Sequence, residues 1–143
     1  ASASTDNIKG ISGAGFNTKI LTVKIVDDNT GGLPGAYQGI VYAADHGAFI
    51  INNSWGSAQY SAFAEDIVNY AAINKGCLVI AATGNDGKDM RFYPSAYENV
   101  FSVGSMADPD TIKTNSNYGH WVDIFAPGES MYTCNADGYF DRD

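Results

Sequence analysis

Hydrophobic positions along this chain switch between the period of a strand and that of a helix. Ile20, Leu21, Val23, Ile25 and Val26 form a β-prone run closed by the turn formers Asp27 to Gly32, which predicts a strand and then a loop. From Ala36, the apolar positions Tyr37, Ile40, Val41 and Ala44 follow the i, i+3, i+4, i+7 spacing of a helix, with Gly47 as its stop. Phe49-Ile50-Ile51-Asn52 is again strand-like and leads into a loop, Asn53-Ser54-Trp55-Gly56-Ser57. Phe63, Ile67, Tyr70 and Ala71 mark one face of a second helix. Ser61 is its candidate N-cap, Glu65 and Asp66 lie near its positive end, and Lys75 and Gly76 lie at the other. Cys77 to Ala82 carries no polar alternation, which predicts a central parallel strand buried on both faces, and it breaks at Thr83-Gly84-Asn85-Asp86-Gly87. Val100 to Val103 and Val122 to Phe125 read as further short strands, the second followed by Ala126-Pro127-Gly128. The order β-α-β-α-β-β-β predicts an α/β fold with a parallel sheet and right-handed crossovers.

Composition narrows the class. The 143 residues, 45% hydrophobic and 17% charged, suffice for one domain with a buried core. A net charge of -8, without a run of Lys or Arg, argues against nucleic-acid binding. The longest apolar stretch, Cys77 to Ala82, is far below the roughly 20 residues of a membrane span. Cys77 and Cys134 form neither a disulfide framework nor a zinc spacing. The chain opens Ala1-Ser2-Ala3-Ser4 without a basic segment and apolar core, so a targeting peptide would lie upstream and a piece of something longer is expected.

In an open α/β sheet the functional crevice lies beyond the carboxyl ends of the strands, which singles out the loops Asp27 to Gly35, Asn53 to Ser57 and Thr83 to Gly87. Gly10 to Gly15 has the order G-x-x-G-x-G and precedes a strand, which argues against dinucleotide binding. Asn85, just past the central strand, carries an amide that can donate to a developing oxyanion; Gly-Asn-Asp-Gly is equally ordinary turn chemistry. Neither His46, in the last turn of a helix, nor His120, in a polar loop, makes a convincing base. Asp45 adjoins His46 but does not share its helix face.

Five blocks stand in the order found in subtilisin-like serine proteases, and over about Asn7 to Thr133 the chain resembles that family. They are Thr22-Val23-Lys24-Ile25, Ile50 to Gly56, Val79 to Gly87, Tyr93-Pro94-Ser95 and Ala126-Pro127-Gly128. The resemblance implies a three-layer α/β domain, its mainly parallel central sheet between flanking helices, of which residues 1–143 are the central and incomplete portion. The family's Asp strand and His helix would precede Ala1, and its nucleophile motif would follow Asp143. Gly128-Glu129-Ser130-Met131-Tyr132 imitates that motif, but Thr133, Cys134 and Asn135 do not resemble the helix that should carry the serine, so Ser130 reads as a decoy.

By resemblance, Asn85 is the oxyanion donor. Ser54, Trp55 and Gly56 offer backbone to an extended peptide, Gly31, Gly32 and Leu33 form the opposite wall, and Ala82, Thr83 and Gly84 line the pocket for the residue before the scissile bond. Thr83 stands where the family more often has Ala, which would narrow or polarise that pocket. Two Ca²⁺ sites are implied as well. One uses the side chain of Asn7 with carbonyls of Thr5, Lys9 and Ile11; the other uses carbonyls of Ser95, Tyr97 and Val100 with the Asp123 carboxylate. The alternative is that Asn7 merely turns its loop and Asp123 is solvated. The implied function is peptide-bond hydrolysis by a secreted serine endopeptidase acting on polypeptides, with residues 1–143 inactive by themselves. A scaffold or peptide-binding module that has lost the triad is the other reading.

Overall fold

The computed structural model describes residues 6, 8, 10–107, 110–134 and 140–142. Two helices precede and interleave with the sheet: α1 (Ala36–Asp45) and α2 (Ala62–Asn69), the latter continued by a π turn, Tyr70–Asn74. The strands are β1 (Ile50–Asn53), β2 (Leu78–Ala82), β3 (Phe101–Ala107), β4 (Thr111–Ile112) and β5 (Ile124–Pro127), followed by a separate antiparallel pair of β6 (Tyr132–Cys134) and β7 (Phe140–Arg142). β1, β2, β3 and β5 run parallel in that spatial order, with Ile51 opposite Val79, Ala81 opposite Ser102 and Val103 opposite Ile124; short β4 pairs antiparallel with β3. Parallel neighbours bring the carboxyl ends of all four strands to one edge.

Helix α2 starts where the sequence places it, because the Ser61 side chain accepts from the Ala64 N–H at 3.3 Å and so satisfies one of the orphan donors of the first turn. Its buried face coincides with the predicted one at Ala71 and, half-buried, at Ile67 and Tyr70, and departs from it at Phe63. Ala64, Val68 and Ala71 are inside, whereas Phe63 is 72% exposed. Small side chains at the contact let α2 lie close to α1 and the sheet; the bulkier Phe63 is left outside, and Ile67 packs half-buried against the margin of the core.

Two further expectations fail. The Ile20 to Val26 run joins no sheet among the described residues. Although the outer edge of β1 has no partner among the described residues, the run does not pair there, and Val23 and Ile25 pack against the bare backbone of Gly39 in α1. β2 is not buried on both faces: Val79 and Ala81 are inside, while Leu78 and Ala82 are exposed. The same alternation runs through β1, where Ile51 and Asn53 are buried and Ile50 and Asn52 are not. The core of Ile40, Ala43, Ala44, Ile51, Val68, Ala71, Val79 and Ala81 therefore lies between α1, α2 and one face of the sheet. Among the described residues no helix covers the other face.

Candidate active site

β1 and β2 end side by side, Asn53 opposite Ala81, so the loops Ser54–Ser57 and Thr83–Gly87 leave the same edge as neighbours. Asn53 is buried and donates to the carbonyls of Ile51 and Ile80 at 3.3 and 3.2 Å, tying the end of β1 to β2. Ser54, Trp55 and Gly56 follow. Among the described residues no backbone N–H or carbonyl of these three is taken by another backbone group. Their course is fixed from behind: the Asn52 amide donates to Ser54 Oγ at 3.1 Å, and Ser57 and Tyr93 exchange both backbone bonds at 2.8 and 2.7 Å. Gly56 has to be glycine, because a Cβ there would strike the Tyr93 carbonyl and the Phe92 ring.

The predicted opposite wall is more self-contained. Asp27 N–H donates to the Gly32 carbonyl, Gly31 N–H to the Asp27 carbonyl, and Ala36 N–H to the Leu33 carbonyl. The Asp27 carboxylate accepts from the Thr30 and Asn29 N–H groups at 3.0 and 2.9 Å, which holds it below the usual carboxylate range. The wall thus keeps most of its hydrogen-bonding capacity for its own shape. Tyr37, at the start of α1, meets Trp55 edge-on with ring centroids 5.1 Å apart, so α1 and the loop after β1 share an aromatic contact.

Beyond β2, Thr83 is 2% exposed and its N–H donates to the Val103 carbonyl, so its side chain is packed inside; Ala82 is exposed and Gly84 half-buried. Gly84 adopts φ +95°, a backbone that L side chains resist, and lies against Asn117 and Phe92. Asn85 is exposed, and its amide has no hydrogen-bond partner among the described residues. The residues around it are held. The fully buried Asn117 donates through Nδ2 to the Thr83 carbonyl at 3.0 Å and to Asp86 Oδ2 at 3.3 Å, and accepts through Oδ1 from Asp86 N–H at 3.0 Å and Lys88 N–H at 3.3 Å. Asn117 N–H adds a bond to the Gly84 carbonyl, and Gly87 N–H one to the Asn115 carbonyl. Sequence reasoning missed Asn117, since an Asn in a polar, turn-rich stretch gives no sign that it is buried.

Of the first predicted cation loop, Thr5, Asn7 and Lys9 lie outside the described residues, and only Ile11 is described. Of the second, Ser95, Tyr97 and Val100 are buried, the Tyr97 carbonyl accepts from the Val100 N–H at 3.2 Å, and the exposed Asp123 accepts through Oδ2 from Ser102 N–H and Oγ at 2.7 and 2.8 Å. Among the described residues no three His, Cys, Asp or Glu side chains cluster. Ser130 leads into strand β6, not into a helix. No described helix is long and apolar enough to cross a membrane.

Residues 1–141 match the profile described as the subtilase family. A thermophilic serine proteinase of Bacillus sp. strain AK1 is 46% identical over 129 residues, which is 90% of this chain and 32% of that protein. Thermitase of Thermoactinomyces vulgaris is 40% identical over 134 residues, 93% of this chain and 48% of thermitase. Among solved structures, a prenylagaramide maturation protease superposes with a TM-score of 0.74 at 28% identity over 82% of this chain and 46% of its own. A cold-adapted subtilisin-like serine proteinase does so at 0.73 and 29%, over 82% and 44%. The chain thus spans between about a third and a half of the length of these curated relatives.

Proposed function

Since the chain belongs to the subtilase family, we propose that residues 1–143 are the central, substrate-holding part of a serine endopeptidase domain. The observation that carries this reading is the edge itself. Among the described residues the Asn85 amide makes no hydrogen bond, and its braced loop leaves the same sheet edge as Ser54, Trp55 and Gly56, whose backbone groups no other backbone group takes. An extended peptide adding to Ser54–Gly56 as a strand would lay a carbonyl near Asn85. When a serine oxygen bonds to that carbonyl carbon, negative charge develops on the carbonyl oxygen, and the Asn85 amide donates to it. The serine proton passes through a histidine to the departing amine as the C–N bond breaks. By this reading the serine, histidine and aspartate lie outside these residues, so the 143-residue chain should remain unlabelled by a fluorophosphonate probe. Labelling at Ser130 would overturn that assignment.

In the full-length protein, Asn85→Ala should lower kcat by about 10²–10³ with KM little changed, because the charge exists only in the transition state. That magnitude is the one found when subtilisin loses an oxyanion donor, and it is carried over from there. A turn residue would instead cost stability and leave turnover per titrated active site intact. Near-normal kcat per site would end the oxyanion role. The Asp123 loop is read as a Ca²⁺ site, with Ser95, Tyr97 and Val100 supplying carbonyls, and Thr5, Asn7, Lys9 and Ile11 as the second. Millimolar Ca²⁺ should raise the melting temperature of the full-length protein over that in excess chelator, and Asp123→Asn should remove part of the gain. An unchanged melting temperature would remove both sites. Secretion is proposed on the habit of the family, and detection of the protein in culture medium tests it.

A further inference from the structure

From the hydrogen bonds around the loop after β2, we infer that Asn117 is a positioning residue for catalysis. Its one buried side chain fixes where the Asn85 amide stands, an inference that rests on the oxyanion reading above. Asn117 is 0% exposed, and all its side-chain hydrogen bonds go to a single target, the segment 83–88. It grips that segment on both sides of Asn85, at the Thr83 carbonyl before it and at the Asp86 and Lys88 N–H groups after it. Its own backbone N–H holds the Gly84 carbonyl, and Tyr118 N–H takes the Lys88 carbonyl at 3.1 Å. Residues 115–118 thereby act as a splint, and within 83–88 Asn85 alone is left without a hydrogen bond among the described residues. An amide that must meet an oxyanion cannot be secured by its own bonds, so its placement falls to its neighbours. Asn117 suits this because one carboxamide presents donor and acceptor together, and can tie a carbonyl and two N–H groups of a tight turn at once. Gly84 packs against this amide, and any Cβ there would press on Asn117 Nδ2.

The test is a double-mutant cycle in the full-length protein, with kcat and KM taken per titrated active site so that unfolded molecules do not count. Asn117→Ser should lower kcat by about tenfold to a hundredfold, as small misplacements of catalytic groups do, and leave KM within about twofold. In the Asn85→Ala background the same substitution should have almost no further effect on kcat, because the group it positions is gone. Asn117→Thr, which retains a hydroxyl and more of the volume, provides the cycle if the serine variant yields too few titrated sites. An unchanged kcat in Asn117→Ser, or an equal fall in both backgrounds, overturns the positioning role while leaving Asn85 as oxyanion donor. A normal kcat in Asn85→Ala overturns the oxyanion reading and this inference with it.

Discussion

At the scale of single residues, the chemistry of this edge depends on atoms that carry no chemistry themselves. Gly84 and Gly76 both occupy the left-handed region, at φ +95° and +69°. They differ in surroundings: a Cβ at Gly76 meets nothing within 4 Å, whereas at Gly84 it meets Asn117 Nδ2 at 2.5 Å and the Phe92 ring at 2.9 Å. Both alanine substitutions should cost about 1–3 kcal/mol for the backbone conformation alone. Only Gly84→Ala should also lower kcat per titrated site, because it pushes on the residue that holds the Asn85 loop. Urea unfolding with active-site titration of the full-length protein separates the two effects. Equal kcat in both variants would mean that the loop absorbs the extra methyl without moving Asn85. The sequence already marked Asn85 and Gly84 through turn composition at a strand end. Asn117 was invisible to it because its contacts reach back across more than thirty positions, as in the Asp86 N–H to Asn117 bond.

The elements show the same division between local and distant information. Ser61 as a cap, the stops at Gly47 and Gly76 and the four parallel strands were legible because they are written in short stretches of the chain. Which helix face is buried was legible in part, at Ile40 and Ala44 of α1 and at Ala71 in the turn after α2. For α2 the spacing pointed to Phe63, yet the buried residues are Ala64 and Val68, since close approach of α1 and the sheet selects for small side chains. The substitutions that test this are Val68→Ala and Phe63→Ala. Val68 is 0% exposed, so its truncation should cost about 2 kcal/mol in urea unfolding of the full-length protein, from lost transfer energy and the void left behind. Phe63→Ala should stay within about 0.5 kcal/mol, as surface changes usually do. The reverse ranking would restore the face that periodicity alone suggests. The joint between α2 and α1 is of another kind. Asp45 accepts from Tyr70 Oη at 2.6 Å and pairs with Lys75 at 2.7 Å, which lowers the Asp45 carboxyl and raises the Lys75 ammonium from their usual ranges. These groups are at the surface, where such pairs contribute little to stability.

At the scale of the whole molecule, the sheet is less buried than its sequence predicts. Cys77 to Ala82 reads as a strand buried on both sides, and parallel sheets are almost always covered on both. Here one face packs on α1 and α2. The other presents Ile50 beside Leu78, Ile80 beside Phe101 and Val103 beside Ile124, with Ile50 60% and Leu78 47% exposed. If residues 1–143 are the middle of a larger domain, the rest of that domain should cover this face, and the uniform hydrophobicity of β2 reflects a burial that these residues do not supply. Leu78→Ser then has opposite consequences in two settings. In the isolated 143-residue chain it should reduce binding of a hydrophobic dye and self-association, since it removes apolar surface from water. In the full-length protein it should cost about 2–3 kcal/mol, as loss of a buried leucine does. Dye fluorescence with sedimentation on the first, and urea unfolding on the second, read out the two signs. A substitution that is harmless in both would show that this face of the sheet meets solvent in the complete molecule, and the central-fragment reading would fail with it.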